Sequence, residues 1–78
     1  MTPKEAIARL DDSISRHPFR PRFAILATRL IKELHSTGRI TFREGVLHTR
    51  AIFLDENIII TEDQTLDDFE FKLPIIPA

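Results

Sequence analysis

Seventy-eight residues, 42% hydrophobic and 29% charged, make one small globular domain rather than a disordered chain, and one that buries only about 60–65% of its unfolded surface. Without cysteine there is no disulfide, thiolate zinc site or thiol nucleophile, and two glycines leave no Gly-rich phosphate loop. The net charge of −1 hides a division: residues 1–50 hold ten Lys/Arg against five acids, a net of +5, and residues 51–78 hold one Lys against seven acids, a net of −6.

The N-terminus shows no basic leader with an apolar run behind it, and no stretch nears the roughly 18 apolar residues of a membrane span. A cytoplasmic protein with no membrane attachment is expected.

Thr2-Pro3-Lys4-Glu5 is a capping box with proline at the first helical position. It opens a helix over 3–16 whose inner face is Ala6, Ile7, Leu10 and Ile14. Pro18 and Pro21 disfavour helical geometry in the residues before them, so 17–20 form a corner, with Phe19 turned inward as a plug. A second helix over 21–37 is predicted from the spacing of Phe23, Leu26, Ala27, Leu30, Ile31 and Leu34, with Gly38 as its left-handed stop.

After Gly38 the period changes from 3.6 to 2, giving strands over 39–43, 46–54, 58–62 and 69–73. Glu44-Gly45 suggests a two-residue hairpin turn that pairs Arg43 with Val46, Phe42 with Leu47 and Arg39 with Arg50. A three-residue turn at Asp55-Glu56-Asn57, with Asn57 left-handed, sets Leu54 opposite Ile58 and Phe53 opposite Ile59, and brings Glu62 beside Arg50. The fold class is therefore α+β: two N-terminal helices on one face of a three- to four-stranded antiparallel meander, all within one domain spanning 1–78.

In this register Ile40, Phe42, Leu47, Ala51, Phe53 and Ile59 face the helices. Ile52, Leu54, Ile58 and Ile60 point away from them, beside Arg39, Arg43 and Arg50. Four aliphatic side chains in one patch must be covered, either by the tail Leu73-Pro74-Ile75-Ile76-Pro77 or by another chain. These seven outer residues, Ile52, Leu54, Ile58, Ile60, Arg39, Arg43 and Arg50, are the candidate partner-binding surface.

His17, His35 and His48 have no second ligand at a metal-binding spacing, and Asp55-Glu56-Asn57 lacks the glycine and spacing of a calcium loop. Ser13, Ser15 and Ser36 have no base beside them in sequence. Neither enzyme activity, cofactor nor metal is expected. The expected function is non-catalytic binding of a protein partner or of a second copy, a role that suits a small host-modulating or inhibitory protein of the kind mobile elements encode.

The alternative is a nucleic-acid-binding regulator using Arg16, Arg20 and Arg22 at the corner and Arg39, Arg43 and Arg50 on the sheet. Leu34 through Gly38-Arg39-Ile40 to Gly45 resembles the last helix and wing of a winged-helix domain, although two helices precede the strands where that family has three. Six Phe at mostly core positions and no Tyr or Trp speak against a base-stacking platform.

Overall fold

A computed structural model of the chain describes residues 1–44 and 50–74, with Arg50 described by its backbone alone. Helix α1 (Pro3–Arg16) has the expected bounds. The Thr2 hydroxyl accepts from the Glu5 amide at 3.2 Å, relieving one of the unpaired donors of the first turn. Ala6 and Leu10 are its buried residues, and Ile7 and Ile14 pack at the margin.

The second helix is shorter than its apolar stripe suggests. Phe23–Leu26 is a strand, β1, and helix α2 runs only from Thr28 to Ser36. Five consecutive apolar residues, 23–27, satisfy a helical period and a strand period equally. Hydrogen-bonding partners decide between them, because β1 lies between two other strands that satisfy its backbone on both sides. Alternation then buries Ala24 and Leu26 and leaves Phe23 and Ile25 on the opposite face. Pro21 is buried ahead of β1 rather than starting a helix, and Phe19, expected inside, is 64% exposed.

Leu30 and Leu34 carry the buried face of α2, which ends as Gly38 predicts. Gly38 has φ +76°, its amide donates to the His35 carbonyl at 3.1 Å, and the Arg39 amide donates to the Leu34 carbonyl at 2.9 Å. This is the Schellman arrangement, in which a residue without Cβ takes the left-handed position at no steric cost.

Strands β2 (Ile40–Glu44), β3 (Arg50–Leu54), β4 (Ile58–Glu62) and β5 (Phe71–Lys72) join β1 in one sheet of order β2-β3-β4-β1-β5. The α+β class holds, but the sheet is mixed and five-stranded rather than an antiparallel meander, because β1 runs parallel to β4. The strand expected over 69–73 is two residues long and pairs with Ile25 and Leu26.

The β2–β3 ladder runs from Glu44 opposite Arg50 to Ile40 opposite Leu54, which overturns the two-residue turn. The offset from the expected register is five residues. An odd offset reverses every β3 side chain relative to β2. The β3–β4 pairs Leu54–Ile58 and Phe53–Ile59 are as expected, so the reversal passes on to β4.

Leu54, Ile58 and Ile60, expected on the outer face, are therefore buried in one cluster with Ala6, Leu10, Ala24, Leu26, Leu30, Leu34 and Phe69, and Ile52 and Ile40 pack against it. Phe53, Ile59 and Ala51 take the opposite face. The expected turn at Gly45, the pairing partners Val46 to Thr49 and the tail Ile75 to Pro77 lie outside the described residues.

The β3–β4 turn also differs in detail. Asp55 and Glu56, with φ of 52° and 72°, hold the left-handed positions expected of Asn57, and the Asn57 amide donates to the Leu54 carbonyl at 3.2 Å. Two left-handed central residues are the type I′ geometry, whose twist matches that of the strands it joins. Glu62 sits opposite Leu26 and accepts from the Thr28 hydroxyl, and β1, not β3, lies beside it in the ladder.

Candidate functional site

On the face of the sheet turned from the core cluster, one row of side chains crosses four strands. Thr41 lies opposite Phe53, Phe53 opposite Ile59, and Ile59 opposite Phe23. Beside it are Arg43 opposite Ala51, and Ile25 between Thr61 and Lys72. None of the apolar members is buried, and Phe23 is 36% exposed. The buried side chains of α1 and α2 all belong to the cluster on the other face, so among the described elements this face has no cover.

Its charge has one sign. The Arg43 guanidinium sits 4.9 Å from the centre of the Phe53 ring, where it meets the negative π-face. Lys72 is the other ionisable strand residue here. The strand carboxylates Glu44 and Glu62 fall on the core side of the alternation, opposite Arg50 and Leu26. Asp63, just past β4, lies close enough to Lys72 to feel its charge. Its carboxyl is held below the usual range by hydrogen bonds from the Thr65 hydroxyl and amide, with a smaller contribution from Lys72.

Of the seven residues expected to bind a partner, Arg43 alone keeps a described side chain on the open face. Leu54, Ile58 and Ile60 are core, Ile52 packs against the core, and Arg50 stands opposite Glu44 in the β2–β3 ladder.

Arg39 is occupied. Its Nη1 and Nη2 donate to the two Asp11 carboxylate oxygens at 2.9 and 2.8 Å, its Nε donates to Asp55 at 2.8 Å, and Nη2 also reaches the second Asp55 oxygen. These bonds, Asp55 first and Asp11 second, raise the guanidinium pKa further, and the bond from Arg39 holds the Asp55 carboxyl below the usual carboxylate range. With the Arg29–Asp68 pair at 3.4 Å, this clasp joins the basic and acidic parts of the chain within the fold.

At the corner, Arg16 pairs with Asp12 at 3.1 Å. Arg20 and Arg22 are exposed and form no ion pair with any described residue. They line an open cleft of about 450 Å³ with Ile14, Leu54, Ile58 and Asp55, on the helix side of the sheet at the end where β1 begins. A second cleft of about 670 Å³ has Ser13, Arg9, Arg29 and Asp68 on its walls, with no histidine to serve Ser13 as a base.

His17 Nδ1 contacts the Phe19 backbone, and His35 stands edge-on to Phe42 at 5.6 Å. Among the described residues no three His, Asp or Glu side chains converge to hold a metal ion, and no helix is long and apolar enough to cross a membrane.

Sequence reasoning missed Phe23, Ile25, Phe53, Ile59 and Lys72. Phe23 lay in an apparent helical stripe and Ile25 within the helix which that stripe predicts, and the next two were placed inside by the register offset. The class these features define is a small α+β domain with one sheet face packed and the other without cover among the described residues. No family model, curated protein or solved structure matches the chain.

Proposed function

We propose that the chain is a non-catalytic binding domain whose contact surface is the open face of its sheet. The observation that carries this is the row Phe53–Ile59–Phe23, three large apolar side chains on adjacent strands that no described element covers. A hydrogen-bonded ladder fixes such side chains about 4.8 Å apart, so they meet a partner without first being ordered. The row is half-buried at Phe53 and Ile59 and exposed at Phe23, and contiguous apolar surface without cover ordinarily marks an interaction site.

Two adjacent substitutions test it. Ile59→Glu sets a carboxylate on the open face and should change stability by no more than about 1 kcal/mol. Ile60→Glu puts the same carboxylate among Ala24, Leu26 and Leu54 and should unfold the domain, because an unpaired buried charge costs several kcal/mol. Self-association in sedimentation experiments, or binding of labelled oligonucleotides, should be lost in the folded Ile59→Glu variant. Undiminished binding by that variant would place the contact surface elsewhere.

A further inference from the structure

We infer that the occupant of the open face is single-stranded nucleic acid, with bases stacked on Phe53 and Phe23 and phosphates held by Arg43 and Lys72. The inference rests on the open face being the contact surface and adds the chemistry of what binds there.

Three observations separate this partner from a second copy or another folded protein. The first is charge. The protein carries a net −1, yet Arg43 and Lys72 are the ionisable strand residues on this face. Two copies meeting face to face would bring cations against cations, whereas a phosphate backbone is complementary to both.

The second is size. Five strands at about 4.8 Å and at most five residues at about 3.3 Å give a face of about 300 Å² in projection, against the roughly 800 Å² per partner of a stable protein interface. A few nucleotides lying across the strands need no more than this.

The third is the placement of the rings. Phe53 on β3 and Phe23 on β1 are separated by Ile59 on β4, two strand spacings or roughly 10 Å. Two bases therefore lie side by side, one on each ring, with the isoleucine between them. Of the six Phe, Phe69 alone is buried, so the aromatic count that argued against stacking does not stand once the rings are placed. Arg43, which covers the Phe53 ring at 4.9 Å, swings from that face to admit the base, and its side chain is then within reach of the flanking phosphate.

The test uses fluorescein-labelled dT12 and U12, the same length of duplex DNA, and anisotropy at 50 mM salt. Both single strands or one of them should bind more tightly than the duplex, and the choice between DNA and RNA is read from the two arms. Phe53→Leu and Phe23→Leu keep the apolar bulk but remove a π-face, and each should weaken binding by about 5-fold or more while circular dichroism is unchanged. Phe19→Leu, 64% exposed and off the sheet, is the control and should have no effect.

Arg43→Gln should flatten the log affinity against log salt slope by about 0.7, the contribution of one phosphate on a single strand. No binding of either strand at 50 mM salt, tighter binding of the duplex, or full affinity in both Phe→Leu variants would overturn the inference. Self-association that is lost in Ile59→Glu, with no oligonucleotide bound, would overturn it and leave the open face as the contact surface. Oligonucleotide binding that survives Ile59→Glu would remove both.

Discussion

Arg39 and Asp55 hold one another twice. The Asp55 amide donates to the Arg39 carbonyl at 3.0 Å, and the Arg39 guanidinium donates back to both oxygens of the Asp55 carboxylate. The remaining donors of the same guanidinium fork onto Asp11 of α1. One side chain thus fastens the first helix, the stop of the second and the β3–β4 turn. The side chain that looked most like a phosphate ligand is a structural clasp.

Arg39→Ala should therefore cost about 1–3 kcal/mol, the range for hydrogen bonds to charged groups. Arg16→Ala should cost under about 0.5 kcal/mol, because the Arg16–Asp12 pair is 80% and 58% exposed at its two side chains against 26% for Arg39. Arg39→Lys should recover only part of the loss, since an ammonium cannot span two carboxylates as a fork. Urea midpoints of the three variants measure this, and equal losses in the two alanine variants would reduce the clasp to an ordinary surface pair.

The same contact sets a pH dependence. Asp55 has a lower pKa folded than unfolded, so its contribution to stability is fully present above the unfolded value of about 3.9 and is lost as pH falls through the folded one. Arg39, shifted upward, stays charged throughout and adds no slope of its own in this range. Between pH 7 and about pH 2 the wild type should lose more stability than Asp55→Asn, and the two stability curves should converge at the acid end. Parallel curves would show that the Asp55 carboxylate contributes nothing to folding.

Successive side chains of β3 point to opposite faces of the sheet, and the cost of truncation should follow. Leu54 is fully buried, and Leu54→Ala should cost about 2–5 kcal/mol. Phe53, next to it, lies on the open face beneath Arg43, and Phe53→Ala should cost less than about 1.5 kcal/mol despite the larger side chain removed. A larger loss at Phe53 than at Leu54 would mean that the open face is covered in solution.

The turn offers a gain rather than a loss. Glu56 holds φ 72°, a position that costs an L-residue with a Cβ about 1–2 kcal/mol and a glycine almost nothing. Glu56→Gly creates the Asp-Gly pair favoured in type I′ turns and should raise stability by about 0.5–1 kcal/mol. Thermal unfolding decides it, and a lower midpoint would assign Glu56 an interaction beyond its backbone.

Where local chemistry dictated structure, the sequence was legible. The Thr2 cap, the Gly38 stop, the buried Leu30 and Leu34, and the β3–β4 pairing all follow from residues within a few positions of one another. What could not be read depends on distant partners. Phe23 to Leu26 becomes a strand because residues 59–62 and 71–72 lie beside it, and nothing within the segment says so. The site was lost through one turn: pairing Glu44 with Arg50 exchanges the faces of β3 and β4, so the apolar patch was drawn from the correct strands and the wrong side of each. Arg43 was found because β2 lies before that offset.

The parallel pairing of β1 with β4 also orders events in time. Phe23 meets Ile59 across 35 intervening positions in the chain, and the other neighbour of β1, β5, is made later still. A nascent chain emerging from the ribosome therefore holds β1 without a ladder on either side until β4 follows it out. Contacts of such long range slow folding, because loop closure precedes any return from pairing. The β3–β4 hairpin, closed by a short turn, needs no such wait, and it carries the edge onto which β1 docks. Pulse-labelled hydrogen exchange during refolding should protect the β3–β4 amides before those of Ala24 and Leu26, and the reverse order would refute this sequence of assembly.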